Sequence, residues 1–308
     1  MAASSDQVLF YYRQQSQISS PGKLEYLYKG LPDHVEDLCQ IIQSLLLHQF
    51  WIQDRKNYGV TSDDLKESGR DLNQEINLRS VEEIIEFLLS LDDRPLERER
   101  EADKRVVGNC RDYSLLLVSM LRFKGIPARV RSGVARYFFQ TGFLEDHFIC
   151  EFWNSEEDRW QLTDPQIDRI QKDVLGIDLE MTNLPPDQFL NAGESYYELQ
   201  SGKVEPGNIG VMDFLGWKYV HYKLVSDLAS INKLEVLAWE GWGICDRIMK
   251  EQLTASDHPL LEDIAQILRD LKSHPARFDQ ARDIFQSHPD LQLPDNYQPY
   301  FMKLPQFN

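Results

Sequence analysis

The spacing of apolar residues changes along this chain, and the changes mark out its elements. Val35, Leu38, Ile41, Ile42, Leu45 and Leu46 fall on one side of a helix that Asp33 is placed to cap. Ser80 and Glu83 form a capping box ahead of Ile84, Ile85, Leu88 and Leu89. Tyr113, Leu116, Leu117, Met120 and Leu121 repeat at helical spacing and predict a helix with one buried face. Asn109 is its N-cap and Asp112, three residues on, a short-armed capping-box partner. Gly125 ends this helix and Pro127 forbids its return. The period then falls to two. Ala128 to Tyr137 alternates as a strand. In the next strand Phe148, Cys150 and Phe152 share one face, and His147, Ile149, Glu151 and Trp153 the other. The acidic turn Asn154 to Asp158 reverses the chain, and Trp160, Leu162 and Asp164 share a face of the return strand. In matching register His147 and Asp164 meet across that hairpin.

Beyond Asp164 the sheet is expected to end, with helix and loop alternating around Pro185-Pro186 and Glu205-Pro206-Gly207. Trp217 to Ile231 reads as a helix, as does the stretch carrying Leu260, Ile264, Ile267, Leu268 and Leu271. The aromatic segment Leu237 to Gly243 suits core packing better than a pocket wall. The tail from Leu293 to Asn308, with three prolines, reads as an extended arm. Leu96 to Arg105 carries both charge signs densely. A solvated loop is its simplest reading, and a recognition rim beside Cys110 the other. The expected organisation is a mainly helical part over 1–95, a core over 96–180, and a mainly helical extension over 181–308 packed as one unit with that core.

Composition narrows the class. At 308 residues, 42% hydrophobic and 27% charged, the chain can bury a sizeable core. Its four cysteines include no CxxC pair, which suits a reduced, cytoplasmic protein rather than a disulfide scaffold. The opening MAASSDQVLFYYRQQ lacks a basic region followed by an apolar core, so no secretory signal is expected. The apolar run near Ile41 to Ile52 is broken by Gln43, Ser44, His48 and Gln49, too often for a membrane span of ~20 residues. A formal net charge of −17 opposes nucleic-acid and anionic-membrane partners. Solubility is its simplest meaning, although it would favour cationic substrates. There is no glycine-rich phosphate loop and no dinucleotide fingerprint, and His34, Cys39 and His48 lack zinc-ligand spacing. Neither a cofactor nor a metal is expected.

The chemistry concentrates at three positions. Cys110 opens a helix, His147 lies on a strand, and Asp164 ends the next strand. A thiol becomes a strong nucleophile only as thiolate, and a helix N-terminus and an imidazole both favour that form. The order nucleophile, base, orienter suits acyl transfer at an amide or ester carbonyl.

The stretches GNCRDYSLLLVSMLRFKGIPARVRSGVARYF, DHFICEFW and RWQLTDPQ resemble the transglutaminase-like superfamily over roughly residues 100 to 170. The resemblance implies an α+β fold with a papain-like core, a nucleophile helix packed on an antiparallel sheet, here with helical N- and C-terminal extensions. It implies Cys110 as nucleophile, His147 as base and Asp164 as orienter. It also implies an oxyanion donor from an upstream glutamine or tryptophan, for which Gln49 and Trp51 are the candidates. The family spans cross-linkers, peptidases, amide-forming enzymes and inactive members, so the substrate stays open: a peptide, a protein or a small amide or ester, with water or an amine as acceptor. A non-catalytic binding or scaffold protein on the same fold is the alternative.

Overall fold

A computed structural model of the chain describes residues 3–271, 276–294 and 297. The proposed C-terminal arm lies mostly outside the described residues. The fold is α+β and transglutaminase-like, with eight strands among the described residues. They are β1 (Leu46–His48), β2 (Val106–Gly108), β3 (Ala128–Ala135), β4 (Leu144–Asn154), β5 (Arg159–Thr163), β6 (Phe189–Asn191), β7 (Ile209–Val211) and β8 (Phe214–Leu215). The chain forms two compact units, each assembled from separated stretches. Among the described residues the first comprises Tyr12–Ala128 and Ile149–Leu184, and the second 3–11, Arg129–Phe148 and those from Pro185 on.

The first unit is built around the helix Cys110–Phe123. The expected single buried face is corrected: thirteen of its fourteen residues are buried, so it has no solvent side. Its polar side chains are bonded internally, as burial demands. Tyr28 Oη shares a hydrogen bond with Ser119 Oγ at 3.0 Å, and Arg122 donates to the Ala128 carbonyl and to Ser19 Oγ. Gly125, at φ +76°, closes the helix in a conformation open to few other residues. The Ser80–Glu83 capping box forms and starts Val81–Leu91.

The preceding helix runs Val35–Leu45 with His34, not Asp33, at the N-cap. Asp33 instead pairs with Lys124 Nζ at 2.8 Å. Leu46 leaves the helix to begin β1, which lies parallel to β2. The charged stretch Leu96 to Arg105 is solvated, as expected, at Glu97, Arg98, Glu99 and Glu101, but it is organised around one buried charge. Arg100 is fully buried and donates to the carbonyls of Asp92, Arg94, Pro95 and Arg98, which folds the segment around one guanidinium.

In the second unit the strand order is β6-β3-β4-β7-β8. The sheet therefore continues past Asp164, against expectation. β6, β7 and β8 have only three, three and two residues, too few to show a period. β7 also joins β4 in parallel, Leu144 opposite Ile209 and Glu145 opposite Gly210, whereas β3–β6 and β7–β8 are antiparallel. β3 stops at Ala135, short of Tyr137, and is buried at all eight positions. Val134, Leu144, Leu190, Leu199, Ile209, Val211, Tyr219 and Val220 form the core here. The expected helices form as Gly216–Ile231 and His258–Asp270. The aromatic segment is core: Trp239 and Trp242 are buried, and Trp242 Nε1 donates to the Leu291 carbonyl at 3.0 Å.

Candidate functional site

Cys110 occupies the first turn of its helix because Asn109 stops the chain in an extended conformation and caps it. The capping box forms as expected. Asp112 Oδ2 accepts from the Asn109 N–H at 2.8 Å and its Nδ2 at 2.9 Å, while Asn109 Oδ1 accepts from the Arg111 N–H at 3.0 Å. Arg111 Nη1 reaches Asp112 Oδ1 at 3.0 Å. Burial raises the Asp112 carboxyl above its ordinary range, and the adjacent guanidinium only partly opposes that. Cys110 is 8% exposed, at the N-terminal end of the helix.

The β1–β2 ladder sets Leu46, Leu47 and His48 opposite Val106, Val107 and Gly108. The Gln49 N–H then donates to the Gly108 carbonyl at 2.9 Å, so Gln49 is drawn to the end of the chain that delivers Cys110. The Gln49 carbonyl accepts from Gln53 Nε2 at 3.1 Å. Trp51 begins a short 3-10 turn, and its carbonyl accepts from Asn57 Nδ2 at 2.9 Å. His48, which the sequence offered only as a poor zinc ligand, is buried with its ring 6.5 Å from that of Tyr113.

Asp164 is fully buried one residue past β5. Its N–H donates to the Met181 carbonyl, and its Oδ1 accepts from the Gln166 N–H at 2.9 Å. The hairpin register differs from expectation. Thr163 lies opposite Cys150 and Arg159 opposite Asn154, so the next position sets Asp164 level with Ile149 rather than His147. The reason is the turn: four residues, Ser155 to Asp158, separate the last pair, with Asp158 at φ +52°.

His147 lies in the second unit, 1% exposed, with its ring edge-on to Tyr137 at 6.1 Å and Phe138 at 4.9 Å. Its neighbour Asp146 is held by Lys223 Nζ at 2.5 Å and by the Tyr219 hydroxyl at 2.9 Å. Lys223 also stands 4.0 Å over the Phe148 ring. Glu145 is pushed up to about 7, chiefly by burial and then by Asp146, with His147 opposing.

The other three cysteines are closed off. Burial raises the thiols of Cys39 and Cys150 well above their ordinary value and takes Cys245 to about 12. Among the described residues no group of three or more His, Cys, Asp or Glu could hold a metal ion, and no helix is long and apolar enough to cross a membrane.

No curated protein matches the chain significantly. A solved structure of a candidate cysteine protease from Cytophaga hutchinsonii aligns at 15% identity and a TM-score of 0.31, over 61% of this chain and 46% of that one. This chain thus spans under half of that protein, and so remote a likeness bears on neither fold nor chemistry. The family match is of another kind. The transglutaminase-like superfamily model covers residues 82–165. That stretch begins in the Ser80-capped helix, takes in the capped Cys110 helix and β4, and closes just after β5, so Cys110, His147 and Asp164 all fall inside it. The stretch that carries all three candidate catalytic residues is thus the one that matches the transglutaminase-like superfamily.

Proposed function

We propose that this protein is a thiol-dependent acyl-transfer enzyme acting on an amide or ester carbonyl. Cys110 Sγ attacks the carbonyl carbon, and the π electrons move to oxygen. The Cys110 N–H and a donor from Gln49 hold that oxyanion. His147, as imidazolium, protonates the leaving amine or alcohol as the carbon–heteroatom bond breaks. Asp164 accepts the other imidazole N–H and keeps the ring in the productive tautomer. Water, deprotonated by His147, or an amine then takes the acyl group from the thioester. A compact hydrolase or small-molecule acyltransferase suits the chain best, because amine transfer must outcompete water at ~55 M and needs a shielded second channel.

The observation that carries this reading is the placement of Cys110. It is a cysteine at the first turn of a capped, enclosed helix, with the Gln49 backbone bonded two residues upstream of it. The superfamily match supports it. The rival reading is a scaffold without turnover, and the low exposure of Cys110 is what favours it.

One experiment separates the two. The chain is mixed with p-nitrophenyl acetate, p-nitrophenolate release is followed, and the quenched protein is examined by mass spectrometry. A burst near one equivalent, with the acetyl group on Cys110 and none in Cys110→Ala, supports the enzyme. No acetyl-Cys110 at any pH between about 5 and 9 leaves the scaffold.

A further inference from the structure

We propose that Tyr58, Gln171 and Gln166 are positioning residues for Asp164, a proposal that rests on the orienting role given to Asp164 above. Asp164 Oδ1 takes its hydrogen bond from the backbone N–H of Gln166. The aim of the carboxylate therefore depends on where the Gln166 backbone is held. Three things hold it. Gln43 Nε2 grips the flanking carbonyls of Pro165 at 3.1 Å and Ile167 at 3.4 Å. The Gln166 side chain donates from Nε2 to Gln171 Oε1 at 3.1 Å. Gln171 in turn donates from Nε2 to the Tyr58 oxygen at 3.0 Å, and Tyr58 donates its proton to Asp168 Oδ2 at 2.7 Å.

The outer end of this chain is closed into a ring. Asp168 caps the helix Arg169–Leu175, and its Oδ1 accepts from the Gln171 N–H at 2.8 Å. Gln171 is thus held twice by the same carboxylate, once directly and once through Tyr58. Burial and then the Asp168 charge raise the Tyr58 phenol, so it stays a neutral donor across the working pH range. Gln166 and Gln171 are both buried. An Asp-Pro-Gln turn needs only its own backbone bond, and the helix needs only Asp168. Two buried carboxamides in series between them cost desolvation that neither element requires, and Gln166 Oε1 has no partner among the described residues, so the link is kept at a cost that the fold alone does not explain. Tyr58 and Asp168 also line a cleft of about 890 Å³, with Asp37, Glu97, Asp103 and Arg105 on its other walls, so the chain runs from that cleft to Asp164.

The test uses the full chain and iodoacetamide as the probe. The rate of Cys110 alkylation is measured by mass spectrometry against pH, with a thermal melt as the folding control. The thiolate–imidazolium pair exists between the pH at which Cys110 loses its proton and the higher pH at which the imidazolium loses its own, and the upper inflection of the profile marks that second loss. Asp164 stabilises the imidazolium, so a poorly aimed carboxylate lets it deprotonate at lower pH. Tyr58→Phe and Gln166→Ala should each move the upper inflection downward by roughly half to one pH unit, and the double variant little further. Asp164→Asn should move it at least as far. A shift in Asp164→Asn with none in Tyr58→Phe overturns the positioning chain and leaves the triad standing. No shift in Asp164→Asn overturns the orienting role, and the positioning proposal with it. Tyr58→Phe keeps the ring and nearly the volume, so it decides alone if Gln166→Ala does not fold.

Discussion

The Gln49 N–H donates to the Gly108 carbonyl across 2.9 Å, and this bond carries the β1–β2 ladder one residue beyond His48 and Gly108. Gln49 is thereby level with Asn109, the cap of the nucleophile helix. Trp51 lies two residues further, inside a separate turn. A ladder bond of this kind fixes where the strand end lies, and oxyanion stabilisation needs donors held in place beforehand.

Gln49→Ala should therefore slow acetylation of Cys110 by p-nitrophenyl acetate by ~10²–10³, the usual cost of one oxyanion donor. Alkylation by iodoacetamide passes through no oxyanion, so its rate should stay within about twofold of the parent. Stopped-flow acylation beside alkylation kinetics reads both. If Trp51→Ala produced the selective loss and Gln49→Ala did not, the donor would be the tryptophan.

The four thiols should react unequally. Burial holds the Cys39, Cys150 and Cys245 thiols protonated at neutral pH, and only thiolates alkylate quickly. Iodoacetamide at about pH 6.5 should modify Cys110 first, and the remaining three only after denaturation. Peptide mapping after a short pulse checks this. Early modification of Cys39, Cys150 or Cys245 in the folded chain would contradict the assignment of Cys110 as the activated thiol.

The parts of the fold that local chemistry decides were legible in the sequence. The Asn109–Asp112 and Ser80–Glu83 boxes, the Gly125 stop and the hairpin turn after Asn154 all stand where side-chain types and spacing put them. What escaped depends on distant partners. Strands of two or three residues such as β7 and β8 carry no period, and β8 pairs with β7, which is itself placed by β4, some sixty residues earlier. Arg100 reads as one more charge in a charged run, and only the folded chain shows four carbonyls converging on it. The hairpin register depended on turn length, which alternation alone does not reveal. The Tyr58–Gln171 link joins residues 113 positions apart and leaves no local signal.

Breaking the buried pair Arg131–Asp227 from one side should destabilise the second unit strongly. Arg131 Nε meets Asp227 Oδ1 at 3.0 Å and Nη2 meets Oδ2 at 2.8 Å, both side chains being fully buried. The Ser132 N–H adds a third bond to Oδ1 at 3.0 Å. Asp227→Ala leaves the guanidinium without its carboxylate in a dry site, and should destabilise by about 3–5 kcal/mol. Replacing both partners by apolar residues of similar volume should cost much less. Denaturant midpoints of Asp227→Ala and of the apolar double variant decide it. Equal losses in Asp227→Ala and the apolar double would mean that packing, not the stranded charge, sets the cost.

Glu145 gives a pH dependence whose sign can be worked out. Its carboxyl is raised from 4.5 to about 7, first by burial, then by Asp146, against the pull of His147. Because the folded value lies above the unfolded one, the folded chain holds the extra proton between those limits. The stability linked to this group is thus fully present below about pH 4.5 and is lost as the pH rises through about 7. Glu145→Gln mimics the protonated form at every pH. The variant should melt with the parent at pH 4 and above it at pH 8, the gap opening between about 4.5 and 7. The comparison must be made as variant minus parent, since the other carboxylates titrate in both chains and cancel. Glu145 also shares a strand face with His147, two residues away. When ionised it favours the imidazolium, so the substitution should lower the imidazole pKa as well. Calorimetric melts at closely spaced pH, with His147 followed by NMR in the same samples, test both effects. A melting gap that is flat across the range would show that Glu145 ionises as an ordinary surface carboxylate.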